Sequence, residues 1–153
     1  AYLLCRTSNP GAGELQSLVV AEESAGVTDG GGPAGAPAEP LYARVARLAT
    51  TWGPGGTVGL VVGATAPAEL RAIRAIAPGL AFLVPGVGTQ GGDIGPALDD
   101  GRATEPPAGG RPGGGLLVNI SRALAAAANG PGEPGELLAA AAADWSARLP
   151  VLP

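Results

Sequence analysis

Ala81-Phe82-Leu83-Val84-Pro85-Gly86-Val87-Gly88-Thr89-Gln90-Gly91-Gly92-Asp93 joins two kinds of sequence without a linker. Residues 81–84 are a short apolar run with no polar alternation, the pattern of a strand buried on both faces of a parallel sheet. Residues 85–93 are a glycine-rich turn, whose backbone amides can approach an anion closely where glycines carry no side chain. Gln90 adds an amide that both donates and accepts. A strand running into such a turn is an α/β signature, and it sets the frame for the rest of the chain.

Three more apolar runs have the same character, at residues 1–5, 58–62 and 116–118. Helical patterns lie between and after them. Leu41, Val45, Leu48 and Trp52 recur at helical spacing behind Pro40, which is placed for a first turn. Leu70, Ile73 and Ala77 repeat the pattern after Thr65-Ala66-Pro67. A short helix is expected from Ser121 to about Ala128. A longer one is expected over residues 134–149, with Leu137, Leu138, Ala141 and Trp145 on one side. Strands alternating with helices imply parallel strands joined by crossovers. Four such units are half of an eight-stranded (β/α)8 barrel. Residues 24–39, 99–115 and 129–133 read as loops, the first two Gly/Pro-rich and long.

In a barrel, phosphate groups settle in the loops after the last two strands. Here those loops are 85–93 and Asn119-Ile120-Ser121-Arg122, and Arg122 supplies a guanidinium suited to bidentate contact with phosphate. The same residues also fit two ordinary glycine turns and a surface arginine. Gly86-x-Gly88-x-x-Gly91 formally matches a dinucleotide fingerprint, but the region about 20 residues on reads as a loop and not as a strand ending in an acid. Thr7-Ser8-Asn9-Pro10-Gly11 follows the first strand. Its polar groups suit either the mouth of a site or helix capping by Ser8 or Asn9. Cys5 has no base to activate it and suits a small buried position. Asp99-Asp100 reads as a solvated carboxylate pair at a helix end.

The composition excludes much chemistry. All nine basic residues are arginine, and there is no lysine, histidine or methionine. Ser-His and Cys-His nucleophiles, Schiff bases and P-loop lysines are therefore absent from this sequence. One cysteine and no histidine make neither a disulfide nor a zinc site. The net charge of −4 argues against a nucleic-acid partner. No apolar run approaches the roughly 18 residues of a membrane span, and no secretory leader opens the sequence, so the expected compartment is the cytoplasm. With 27 glycines and 16 prolines the chain nears the composition of disordered segments, but its apolar residues are clustered, as in a folded domain with a lean core. A buried strand from the first residue suggests a chain that starts mid-domain.

Taken in order, Leu4-Cys5-Arg6-Thr7-Ser8-Asn9-Pro10-Gly11, Pro40-Leu41-Tyr42, Val58-Gly59-Leu60-Val61-Val62-Gly63-Ala64-Thr65, Phe82 to Asp93 and Asn119-Ile120-Ser121-Arg122-Ala123 resemble the orotidine 5'-phosphate decarboxylases, the longer bacterial subgroup in particular. The resemblance covers residues 1 to about 128. It implies a TIM barrel of which residues 1–153 are about the last four β/α units. It implies loss of carbon dioxide from orotidine 5'-phosphate to give uridine 5'-phosphate, with no metal or organic cofactor, in a homodimer. It also implies that Gln90 and Arg122 hold the phosphate with backbone amides near Ser121, that Ser8 bonds the pyrimidine and links to Gln90, and that Pro85 and Val87 line the closing loop. The family's Asp/Lys network has no counterpart here, so no catalytic residue is expected within residues 1–153. Ile120, where a small polar residue is usual, and the long loop 101–115 also depart from the pattern. A different class of function, a non-catalytic half-barrel that binds phosphorylated ligands or a partner, fits the same residues.

Overall fold

The computed structural model describes residues 1–21 and 38–150. Its centre is a four-stranded parallel sheet of β1 (Tyr2–Arg6), β4 (Gly59–Val62), β5 (Ala81–Pro85) and β6 (Leu116–Asn119), in that order. Strands consecutive in the sheet are consecutive in the chain apart from a small antiparallel pair, β2 (Val19–Val20) with β3 (Glu39–Pro40). The four apolar runs of the sequence are these four strands, each displaced by no more than about one residue at either end. The pair β2–β3 carries no such signal, since two residues show no periodicity.

Register assigns each face. Leu3, Leu60, Phe82 and Leu116 are successive partners across the sheet, and Leu60 and Phe82 are fully buried. This row meets the helices α2 (Leu41–Ala49), α3 (Pro67–Ile76) and α4 (Ile94–Gly101), which pack on one another in chain order. The adjacent row, Leu4, Val61, Leu83 and Leu117, faces the other way. It is apolar too, yet Leu4 is 65% and Leu117 55% exposed. One face of the sheet is therefore covered and the other is open at both edges.

The helix α2 buries other residues than those that mark its spacing. Its buried residues are Ala43, Ala46 and Ala49, whereas Leu41, Val45 and Leu48 are half-buried and Trp52, beyond the helix, is 45% exposed. Alanines let the helix axis come close to β1 and β4, and the larger side chains fill the flanks of that contact. Pro40 is not in the first turn but in β3, with an extended backbone just before the helix. Pro67 does open its helix.

Glu39, expected at the end of a loop, is buried in β3 and takes Arg44 at 3.0 Å and Arg47 at 2.8 Å. The remainder of that expected loop up to residue 37 lies outside the described residues. In the other expected loop, Asp99, Asp100 and Gly101 are the last turn of α4. The segment after them is tied down: Ala103 donates to Gly114 and Ala108 to Gly79, and both alanines are buried. Asp100 is also not simply solvated, because Arg71 grips it through two bonds of 3.0 Å.

Arg74 was not singled out by its sequence. On the buried side of α3 with Leu70 and Ile73, it is 6% exposed and has no carboxylate partner among the described residues. Its guanidinium donates instead to the carbonyls of Ala77, Leu80 and Gly101, and it lies 3.5 Å from the Phe82 ring centroid. Those acceptors include the C-terminal ends of α3 and α4, where the helix dipoles are negative. Burial lowers its pKa to about 10, still charged at neutral pH. Cys5 is 2% exposed, and burial pushes its thiol up to about 12, an inert core residue as its surroundings suggested.

Candidate functional site

All four strands of the sheet run parallel, so the segments after β1, β4, β5 and β6 emerge at one end. This is where open α/β sheets and barrels place ligands. Ser8 comes from the first of these segments, Gly63 from the second, Gln90 from the third and Arg122 from the fourth.

Ser8 and Gln90, 82 residues apart, meet there. The Ser8 hydroxyl donates to Gln90 Oε1 at 3.2 Å, and Gln90 Nε2 donates back to the Ser8 carbonyl at 3.5 Å. Capping is not what Ser8 or Asn9 does: the short helix α1 (Ala12–Gln16) starts after Gly11 and has no side-chain cap. The approach depends on glycine. A Cβ on Gly86, whose φ is +97°, lies 2.9 Å from Ser8 Cβ and 3.3 Å from Gln90 Oε1. A Cβ on Gly63 lies 2.8 Å from the Ser8 nitrogen.

Ser8 is held from behind. Gln16 Oε1 accepts from the Thr7 amide at 2.9 Å, and Gln16 Nε2 donates to the Thr7 hydroxyl at 3.1 Å. The glycine loop closes on itself as well: Gly92 donates to Gly86 at 3.0 Å, Gly88 to Gly92 at 3.1 Å and Gly91 to Gly88 at 2.7 Å. Pro85 accepts from Ala64 at 2.9 Å, which fixes the loop's root to the segment after β4. At its far end Asp93 caps α4 through Gly95.

Pro85, Gly86, Val87, Thr89, Gln90, Asn119, Ser121, Arg122 and Ala123 line a cavity of about 50 Å³. That is well below the roughly 300–1,000 Å³ of sites that enclose a whole small molecule, and it suits a single tetrahedral anion. Arg122 opens α5 (Arg122–Ala126) and has no ion-pair or hydrogen-bond partner among the described residues. Val87 lines the cavity although its side chain is packed in the core, at 5% exposure. The six residues proposed from sequence, Ser8, Pro85, Val87, Gln90, Ser121 and Arg122, thus lie at one end of the sheet. Sequence reasoning missed Gln16 and Gly63, for which only general polarity and glycine content speak. It also missed the contact of Trp145 with Gly88, since the residue's helical spacing showed a packed face without showing its neighbour.

The dinucleotide alternative finds no support here. The segment after the glycines leads through α4 and residues 102–115 to β6, which ends in Asn119 and carries no acid. Among the described residues no cluster of three metal-ligating side chains occurs, and no helix is long and apolar enough to cross a membrane.

No family model matches the chain. It is 48% identical over 123 residues to the orotidine 5'-phosphate decarboxylase of Halorubrum lacusprofundi, covering 80% of this chain and 38% of that protein. It is 46% identical over 129 residues to the one from Azoarcus sp., covering 84% of this chain and 39% of that protein. Among solved structures it is similar to the OMP decarboxylase of Leishmania donovani, with a TM-score of 0.62 and 34% identity, over 96% of this chain and 47% of that one. The chain therefore spans about two fifths of the length of the curated relatives it matches.

Proposed function

We propose that this chain is the C-terminal part of an orotidine 5'-phosphate decarboxylase, which converts orotidine 5'-phosphate to uridine 5'-phosphate and carbon dioxide. The observation that carries the reading is the pairing of Ser8 with Gln90 beside the cavity lined by Arg122. Identity of 48% to a decarboxylase over most of the chain supports it independently.

On this reading Arg122 and Gln90 hold the phosphate, with backbone near Ser121. Ser8 bonds the pyrimidine, and its link to Gln90 couples the two ends of the nucleotide. Pro85 and Val87 line the loop that closes over them. These groups bind and orient. Binding energy from a remote phosphate organises the reacting end of the substrate, but the carbanion-like transition state needs charged groups of its own. The 153 residues contain no lysine, so on this reading the family's Asp/Lys network belongs to the part of the enzyme that this chain does not include. The parallel sheet is then half of a (β/α)8 barrel, and the complete enzyme is a cytoplasmic homodimer that needs no cofactor.

The test is a chimera with the front segment of the Halorubrum lacusprofundi decarboxylase joined to this chain. Turnover of orotidine 5'-phosphate that responds to Arg122 and Gln90 substitution supports the proposal. A folded chimera that binds neither substrate nor uridine 5'-phosphate refutes it.

A further inference from the structure

We propose that Trp145, on the last helix, is a positioning residue that braces the glycine loop in its anion-binding shape, and that its indole senses occupancy of that loop. The inference rests on the reading of residues 85–93 as a phosphate site and adds a residue far outside that motif. The helix α6 (Pro134–Arg148) is capped by Glu133, whose carboxylate accepts from the Glu136 amide at 3.0 Å. It packs on α5 and on the turn Ala127–Asn129 behind Arg122. Leu137, Leu138, Ala141 and Trp145 are its half-buried face, and Trp145 is the α6 side chain that reaches the main core cluster.

The ring arrives at Gly88. A Cβ at that position lies 3.0 Å from Trp145 Cη2 and 3.3 Å from Cζ2, and Gly88 also has a φ of +80°. The absence of a side chain at 88 is thus matched by an indole occupying the space. The outer side of the ring is covered by Arg148, whose guanidinium carbon is 4.1 Å from the ring centroid. Arg148 is held in turn by Asp144 at 3.5 Å. The indole therefore lies between a cation–π contact with Arg148 and the turn at Gly88. Gly88 accepts from Gly91 and donates to Gly92, so it is the node of the loop's internal bonding. Gly88 is followed directly by Thr89 and Gln90, which line the cavity, so a shift of Gly88 is expected to shift them.

The experiment uses the 153-residue chain with Trp52→Phe, which leaves Trp145 as the sole indole. Uridine 5'-monophosphate is titrated by equilibrium dialysis and, in parallel, by Trp145 emission, with inorganic phosphate as competitor. The expected result is an emission change that saturates at the dialysis midpoint. In the chain with both tryptophans, Trp145→Ala should weaken binding about tenfold, the scale of one aromatic packing contact, and Trp145→Phe by much less. Gly88→Ala should cost less affinity in the Trp145→Ala background than alone, because the ring it strikes is gone. If the nucleotide binds by dialysis while emission stays flat and Trp145→Phe and Trp145→Ala bind like the parent, the bracing role is overturned and the phosphate site stands. If Trp145→Ala does not fold, emission and Trp145→Phe decide. If the parent chain binds neither nucleotide nor phosphate, the phosphate reading falls and this inference with it.

Discussion

At the scale of single residues, the site is a set of close approaches and one cation. Arg122 lines the cavity and has no ion-pair partner among the described residues, so its charge is available to a ligand. In a complete enzyme carrying this half, Arg122→Ala is expected to raise KM and to lower kcat/KM on the order of a hundredfold, as a lost charge-assisted bond to phosphate does. The loss should nearly vanish for a substrate without phosphate, and equal losses for both substrates would refute the assignment. Gly86→Ala tests the approach itself. With φ at +97° and Ser8 Cβ at 2.9 Å, the methyl group must displace Ser8 or the loop. A stability loss of about 1–3 kcal/mol is expected from backbone strain, measured by denaturant, together with loss of the Ser8–Gln90 coupling in a double-mutant cycle. The position of Gln90 and Arg122 in the segments after β5 and β6 was legible in the sequence, because each segment follows directly on an apolar run. The supporting role of Gln16 was not, since a glutamine in a short helix says nothing of its partner nine residues back.

At the scale of elements, Glu39 ties the strand β3 to α2 through Arg44 and Arg47. The Arg47 hydrogen bond, against the cost of burial and with help from both positive charges, holds the Glu39 carboxyl below its ordinary value of 4.5. A carboxylate with a depressed folded pKa contributes stability that is fully present above its unfolded value. That contribution is lost as pH falls through the folded value. The expected outcome is acid destabilisation setting in below about pH 4.5 that Glu39→Gln largely removes, read from thermal unfolding across pH 3 to 7. An unchanged acid limb in the variant would show the clamp to be energetically idle. Glu39 also shows why element reading stops where it does. Apolar runs gave β1, β4, β5 and β6 to within about a residue, because both faces of these strands carry apolar side chains, although only β4 is buried along its whole length. The β2–β3 pair depends on a tertiary ion cluster and has no local pattern. In α2 the large apolar residues mark the helical spacing while alanines take the buried positions, since alanine, weak as a hydrophobic signal, is what permits the closest packing.

At the scale of the whole molecule, the sheet has one covered face and one open face, and β1 and β6 have no neighbour on their outer sides among the described residues. Tyr2, Leu4 and Leu117, at 46%, 65% and 55% exposure, belong to these edge strands. Unpaired edges and exposed apolar surface favour association. The 153-residue chain on its own is expected to bind a hydrophobic dye and to sediment in a concentration-dependent way, and a sharp monomeric unfolding transition independent of concentration would contradict this. Catalysis is a separate matter, because association cannot create a missing functional group. Two copies of this chain still contain no lysine and no histidine. The groups that meet at the cavity, an amide, hydroxyls and a guanidinium, suit an anion, and among the described residues they include no charged acid–base pair. The purified chain is therefore expected to bind uridine 5'-phosphate while showing no decarboxylation above the uncatalysed rate, measured by release of labelled carbon dioxide from orotidine 5'-phosphate. Turnover abolished by Arg122→Ala would show that the binding half of the site carries catalytic power of its own, and would place the transition-state stabilisation where no lysine exists.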